Sequence, residues 1–145
     1  SKYKVAVCVT SYNQSDVIED ALEGILKSEN KRFPLLIVVG DDCSTDGSME
    51  LLKSYQENYP DRIRLVLQPE NVGLFQNRKA IFKCCDAPYI AFCDGDDYWI
   101  DENCLQKNMI FWKNIRTILD IRQHALTEAE MRSLLYRIWK KGIVF

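Results

Sequence analysis

Four apolar runs alternate with amphipathic stretches along the first two thirds of the chain. Three of the runs lack polar residues and predict buried strands over Val5–Val9, Leu35–Val39 and Tyr89–Cys93, and Ile63–Leu67 predicts a further short strand. Between them, apolar residues recur at helical spacing over residues 18–26, 49–59 and 74–84. This alternation of strands and helices predicts an α/β fold with a mostly parallel sheet flanked by helices.

The pattern changes after Trp99, where the only further strand signal is a stub at residues 143–145. Residues 101–119 and 128–141 carry apolar stripes at helical spacing, and Thr127 to Glu130 match a capping box at the start of the second helix. We therefore expect an α/β domain over residues 1–113 and a helical C-terminal tail over residues 114–145.

Polar residues follow each predicted strand. The carboxyl ends of parallel strands lie along one edge of a sheet, and open α/β sheets bind ligands there. The groups that we expect to converge are Thr10 to Asn13, Asp41 to Ser44, Asn71 to Gly73 with Arg78 further on, and Asp94 to Asp97. Their convergence predicts one ligand site built from all four strand ends.

The last of these groups is rich in carboxylates. In extended backbone the side chains of Asp94 and Asp96 lie on the same side, and Gly95 leaves room for a bulky anion to approach the backbone. Two carboxylates held close together repel each other unless they share a proton or bind a hard cation such as Mg²⁺ or Mn²⁺. The pattern favours a site for a metal and a diphosphate; the alternative is a polar turn, since Asp-Gly is a common loop sequence.

The other groups offer contacts to a nucleotide. Tyr12 presents a flat ring on which a base can stack. Asp42 or Asp41 can accept hydrogen bonds from a base edge, and Arg78 can pair with a diphosphate. Each residue also has a purely structural interpretation. Tyr12 can be an aromatic residue of a turn, Asp41 and Asp42 can belong to a helix-capping loop, and Arg78 can be a solvent-exposed helix residue. Each alternative could explain its own residue, but together they explain less well why all of these groups are expected at one edge of the sheet.

Composition indicates a single globular domain. The 145 residues are 47% hydrophobic and 28% charged, and 19 basic against 21 acidic side chains give no electrostatic reason to expect nucleic acid. Six cysteines without a CxxC pair are expected to be reduced thiols of a cytoplasmic protein. No apolar run approaches the ~20 residues that span a bilayer, and no signal peptide is recognised, so we expect a cytoplasmic chain that can also work peripherally at the inner face of a membrane.

Four segments of the sequence occur in an order and spacing typical of one enzyme family. They are VAVCVTSYN, LLIVVGDDCSTDGS, ENVGLFQNR and YIAFCDGDDYW, and over residues 4–112 the chain resembles family 2 glycosyltransferases, which use nucleotide-sugar donors. The resemblance implies a Rossmann-like sheet of the GT-A type. It also implies a donor-binding half that holds a nucleoside diphosphate sugar, most often a uridine one.

The resemblance further implies roles for individual residues. Thr10, Tyr12 and Asp42 would line the base pocket, Arg78 would lie near the base or the phosphates, and Asp94 would face the ribose. With the neighbouring positions included, the expected donor-binding set is Thr10, Tyr12, Asn13, Asp41, Asp42, Arg78 and Asp94. Asp96 would hold Mg²⁺ or Mn²⁺ on the diphosphate, with Asp94 and Asp97 as further candidate ligands. The cation would neutralise the departing diphosphate, and an acceptor hydroxyl deprotonated by a carboxylate would displace it with inversion.

Two features depart from the family pattern. Asn77 and Lys79 flank Arg78 where the family commonly has alanine and asparagine. Only 46 residues follow Trp99, and none resembles the acceptor half that carries the family's catalytic base, so no catalytic residue is assigned. We interpret the tail as the remnant of a truncated or shortened acceptor half, with a discontinuity between residues 113 and 125.

The sequence thus predicts the donor-binding domain of a metal-dependent, inverting glycosyltransferase. The reaction would move a sugar, from a UDP-sugar in the first place, to a saccharide or lipid-linked acceptor during cell-surface polysaccharide assembly. The alternative is a non-catalytic nucleotide-binding or scaffold module whose helical tail forms a surface for a partner or a homo-oligomer. A phosphoacceptor receiver domain is disfavoured, because its aspartate pair would follow the first strand, where this chain has Thr10 to Asn13.

Overall fold

The computed structural model describes residues 2–3, 5–28, 34–87 and 89–94. The strands are β1 (Val5–Ser11), β2 (Leu35–Asp41), β3 (Ile63–Leu67) and β4 (Tyr89–Asp94), and the helices are α1 (Ile18–Ser28), α2 (Ser48–Asn58) and α3 (Leu74–Cys84). This order confirms the predicted α/β alternation. None of these three helices is long and apolar enough to cross a membrane. The expected helical tail and the expected boundary at residue 113 lie outside the described residues.

All four strands are parallel and form one sheet in the order β3-β2-β1-β4. β1 is central: Thr10 lies between Gly40 of β2 and Asp94 of β4, and Ser11 pairs with Asp41. The chain builds outward from β1 to β3 on one side and then returns to add β4 on the other side. In open α/β sheets, ligands bind beyond the carboxyl ends of the strands at such a reversal of strand order.

Side chains alternate along the strands and divide the core into two layers. Val7 of β1 packs in one cluster with Leu22 of α1 and Leu52 of α2. Cys8 packs in the other cluster with Phe82 of α3. Helices therefore cover both faces of the sheet, which explains why β1 and β2 are buried along their whole length and begin as continuous apolar runs.

The strands extend further than the apolar runs predicted. β1 continues through Thr10 and Ser11, β2 through Gly40 and Asp41, and β4 through Asp94. The ladder continues because its hydrogen bonds use backbone groups, whatever the polarity of the side chains. Polar residues thus belong to the strands themselves at the carboxyl edge of the sheet.

Helix α3 approaches the sheet closely at Gly40. A Cβ atom there would lie 2.5 Å from Cδ1 of Ile81 and 2.6 Å from Oδ1 of Asn77. Asn77 is buried, and its Nδ2 donates a hydrogen bond of 2.8 Å to the Gly40 carbonyl. Glycine at this position therefore allows the first half of α3 to pack against the carboxyl end of β2.

Candidate functional site

A pocket of about 370 Å³ opens at the carboxyl edge of the sheet. Its lining comes from the end of β1 and the loop after it (Thr10, Ser11, Tyr12, Gln14), from the loop after β2 (Asp42), and from the β3–α3 connection and the start of α3 (Asn71, Gly73, Leu74, Asn77). The volume falls in the range of pockets that bind small molecules. The ends of three strands thus converge on one pocket, and Thr10, Tyr12 and Asp42 of the expected set lie together in it.

Hydrogen bonds join the loops that follow β1 and β2. Three successive amides of the first loop donate to side chains of the second loop and of the first residue of α2: Asn13 to Ser44 Oγ at 2.9 Å, Ser15 to Asp46 Oδ2 at 3.0 Å and Gln14 to Ser48 Oγ at 3.1 Å. In return, the Thr45 amide donates to Asn13 Oδ1 at 2.9 Å. Asn13 has a φ of 49°, a left-handed conformation that asparagine adopts more readily than most residues. Asn13 therefore connects the two loops, and its expected contact with a ligand stays a prediction.

Asp46 provides the charge in this connection. Its Oδ1 accepts hydrogen bonds from the Ser48 hydroxyl at 2.5 Å and from the Ser48 amide at 3.0 Å. These bonds, together with the one from the Ser15 amide, hold the pKa of Asp46 below its ordinary value of 3.8. Asp46 is therefore ionised at neutral pH and accepts hydrogen bonds from the loop after β1 and from the first residue of α2.

Asp41 is the last residue of β2 and is fully buried. Its Oδ1 accepts a hydrogen bond of 2.6 Å from the Ser44 hydroxyl, and its Oδ2 accepts one of 2.9 Å from the Ser44 amide. Asp41 does not line the pocket. In this arrangement the side chain orients the loop after β2, and the expected contact of Asp41 with a donor stays a prediction.

Asp42 fixes the pocket wall contributed by the β3–α3 connection. Its Oδ1 accepts a hydrogen bond of 2.7 Å from the Val72 amide, and its Oδ2 accepts one of 2.9 Å from the Gly73 amide. Gly73 has a φ of 86°, which favours glycine, and directly precedes α3. A carboxylate has about four lone-pair sites, so Asp42 keeps acceptor capacity for a ligand after making both bonds.

Two exposed apolar side chains line the same pocket. Tyr12 is 49% exposed and Leu74 is 54% exposed. Sequence reasoning identified Tyr12 but missed Leu74. Its spacing of three and seven residues from Asn77 and Ile81 is that of the buried side of α3, so the pattern indicates a core residue. Leu74 is instead exposed at the pocket.

Asn77 and Arg78 are adjacent in α3 but have different surroundings. Asn77 lines the pocket, and its Oδ1 accepts a hydrogen bond of 3.4 Å from Gln68 Nε2. Arg78 does not line the pocket. The residue that departs from the family pattern, Asn77, is thus part of the pocket wall, and the expected contact of Arg78 with a donor stays a prediction.

Most of the expected metal ligands lie outside the described residues. The backbone of Asp94 ends β4 and pairs with Thr10, which places this residue at the edge where the pocket opens. Asp96 and Asp97 fall beyond the described part of the chain. Within residues 2–3, 5–28, 34–87 and 89–94, no group of three or more His, Cys, Asp or Glu residues could hold a metal ion. The assignment of Asp94, Asp96 and Asp97 to a cation stays a prediction.

Comparison with known proteins agrees with this geometry. The family model described as Glycosyl transferase family 2 matches residues 6–138. This chain belongs to glycosyltransferase family 2. The family match continues beyond residue 112, where the resemblance was expected to end.

Relatives of this family 2 chain include proteins named as glycosyltransferases. One of them, named "Putative teichuronic acid biosynthesis glycosyltransferase TuaG" in Bacillus subtilis, is 36% identical over 107 residues, which cover 74% of this chain and 41% of TuaG. S. aureus TarS 1–349 in complex with UDP-GlcNAc has a TM-score of 0.63 at 27% identity, covering 72% of this chain and 29% of that one. Mannosyltransferase PcManGT from Pyrobaculum calidifontis, in complex with GDP-Man and Mn²⁺, has a TM-score of 0.65 at 28% identity, covering 71% of this chain and 30% of that one.

These likenesses confirm the GT-A fold expected from the four motifs, because the family match, the parallel sheet and the solved structures agree. The chain spans 30% to 41% of the length of the first curated relatives that it matches.

Proposed function

We propose that this family 2 chain is the donor-binding part of an inverting glycosyltransferase that moves a sugar from a nucleoside diphosphate sugar to a saccharide or lipid-linked acceptor. The observation that carries the proposal is the pocket at the carboxyl edge of the sheet, where Thr10, Tyr12 and Asp42 lie together. The name of TuaG supports a role in cell-surface polysaccharide assembly. The carboxylate that deprotonates the acceptor hydroxyl is assigned to no residue of this chain.

In this proposal the pocket holds the base of the donor. Tyr12 provides a ring face and Leu74 a second apolar surface, both exposed in the free protein. The remaining acceptor capacity of Asp42 suits a ring N–H of the base. Uracil and guanine both carry such a group, and the neighbours TarS and PcManGT are solved with UDP-GlcNAc and GDP-Man. We place a UDP-sugar first because the motifs resemble those of enzymes that most often use uridine donors.

The cation, Mg²⁺ or Mn²⁺, would be held by Asp96, with Asp94 and Asp97 as further ligands. Two considerations support this assignment: β4 ends at Asp94 beside Thr10, and carboxylate oxygens are the donors that hard cations prefer. A bound cation supplies charge neutralisation on the departing diphosphate. The described residues bind the base and orient the donor toward that edge of the sheet.

Calorimetric titration with UDP, in the presence and absence of Mn²⁺, tests the proposal. We expect UDP to bind the wild-type chain and Mn²⁺ to strengthen binding. Asp96→Ala should lose the effect of Mn²⁺, whereas the matched control Asp20→Ala, exposed on α1, should keep it. Absence of nucleotide binding by the wild type would contradict the proposed function. An unchanged effect of Mn²⁺ in Asp96→Ala would contradict the metal assignment.

A further inference from the structure

Two buried polar atoms of pocket residues have no hydrogen-bond partner within the part of the chain that the structure describes. They are Ser11 Oγ and Gln14 Oε1, and both residues line the pocket. Buried polar groups in folded proteins are nearly always hydrogen-bonded, because an unpaired group loses its interaction with water without replacement. A ligand that supplies the missing partners would account for both atoms.

Nearby groups show that this part of the fold does not generally leave polar atoms unpaired. The hydroxyls of Ser44 and Ser48 each take part in two hydrogen bonds. The backbone amide of Gln14 donates to Ser48, whereas its side-chain oxygen has no partner among the described residues. Ser11 is only 2% exposed, so water does not compensate its hydroxyl. Ser11 Oγ and Gln14 Oε1 thus differ from the paired hydroxyls that surround them.

We propose that Ser11 and Gln14 contact the edge of the donor's nucleobase; this inference rests on the proposed function. Gln14 Oε1 is an acceptor and requires an N–H of the ligand. A hydroxyl both donates and accepts, and rotation about χ1 lets the Ser11 side chain turn toward a ligand. Their matching ligand edge carries an N–H beside a carbonyl oxygen, as the imide of uracil and the lactam of guanine do.

A structural role and a ligand-binding role predict opposite effects on stability. If the Ser11 hydroxyl is unpaired in the free protein, its removal relieves a buried polar group, and Ser11→Ala should leave Tm unchanged or raise it. Methionine has nearly the length of glutamine without its polar atoms, so the same holds for Gln14→Met. A hydroxyl or amide that contributed to folding would instead lower Tm when removed.

The test measures Tm without ligand and calorimetric affinity for UDP and for UMP. We expect Ser11→Ala and Gln14→Met each to bind both nucleotides about 5- to 10-fold more weakly than the wild type, the usual effect of losing one hydrogen bond. Tm should not fall in either variant. Ser54→Ala, at an exposed position of α2, provides the matched control and should behave as the wild type does.

The possible outcomes separate this inference from the proposed function. Unchanged affinity of both variants beside a wild type that binds UDP would overturn the inference alone. A lower Tm for Ser11→Ala would also overturn it, by showing that the hydroxyl is structural. If the variants bind UDP more weakly but bind UMP as the wild type does, then Ser11 and Gln14 contact the diphosphate, and the proposed contact with the base is refuted. A wild type that binds neither nucleotide would overturn the proposed function and, with it, this inference.

Discussion

Replacing Asp42 with asparagine tests how the pocket wall is held. The wild-type carboxylate accepts hydrogen bonds from the Val72 amide at 2.7 Å and from the Gly73 amide at 2.9 Å. Asparagine keeps one oxygen and places an NH₂ donor in the position of the other, so one backbone amide faces a donor. Because Asp42 is only 5% exposed, water does not replace the lost bond.

The expected magnitude follows from these two bonds. A hydrogen bond to a charged group contributes about 1.5–3 kcal/mol, and a neutral one about 1 kcal/mol. The variant loses one charged bond and weakens the second to a neutral one, so the free energy of unfolding should fall by about 2–4 kcal/mol. Affinity for UDP should fall as well, because the wall that contains Gly73 loses its anchor.

Urea unfolding followed by circular dichroism measures the effect. Glu70→Gln is the matched control, because it makes the same carboxylate-to-amide change at an exposed position of the same β3–α3 connection. The control should change the free energy of unfolding by less than about 0.5 kcal/mol. If Asp42→Asn costs no more than Glu70→Gln, then the two bonds do not hold the wall, and the reasoning is refuted.

Three further predictions concern packing, the apolar surface of the pocket and pH. Gly40→Ala should lower the free energy of unfolding by about 1–3 kcal/mol in urea, because its Cβ would lie 2.5 Å from the Ile81 side chain; an unchanged midpoint would refute this. Leu74→Ala should weaken UDP binding in calorimetry with little change in Tm, whereas Leu67→Ala, 37% exposed but outside the pocket lining, should not; equal affinities would remove Leu74 from the site. The pKa of Asp46 is lowered on folding, so its contribution to stability is full above about pH 4 and is lost as pH falls further. The stability difference between the wild type and Asp46→Asn should therefore shrink in acid, and a constant difference down to pH 2 would contradict the lowered pKa.

The architecture was predictable because it depends on periodicity. Continuous apolar runs such as the one around Val7 indicate strands that are covered on both faces, and helical stripes between them require parallel crossovers. Once the strands are parallel, their carboxyl ends share an edge. Thr10, Tyr12 and Asp42 could therefore be predicted to lie together before any coordinates were known.

The surroundings of individual side chains within that edge were not predictable from periodicity. Asp41 and Asp42 are adjacent and chemically identical, yet the first bonds to Ser44 in its own loop and the second bonds to the amides of Val72 and Gly73. From the sequence, both aspartates were expected to contact the donor. Which of them faces the pocket depends on the path of the backbone after β2, and no periodic pattern applies to a loop.

Residues at the start of α3 escaped prediction for a different reason. Leu74 and Asn77 lie on the side of the helix that carries the core residue Ile81. Their spacing therefore predicts that Leu74 is a core residue and that Asn77 is a polar exception within the same stripe. The structure places the beginning of this stripe at the pocket, where Leu74 is exposed. Burial therefore changes along one side of a helix, and the spacing of residues in the sequence does not predict where it changes.

The pocket is held by side chains that bond to the backbone of another element. Asp42 binds the β3–α3 connection, Asp46 binds the loop after β1, and Asn77 binds the Gly40 carbonyl of β2. Walls fixed in this way need little ordering when a ligand enters, so less of the interaction free energy is lost to conformational entropy. In such a preorganised pocket, atoms that the described part of the fold leaves unpaired, as at Ser11 and Gln14, are the ones whose hydrogen bonds remain available to a ligand.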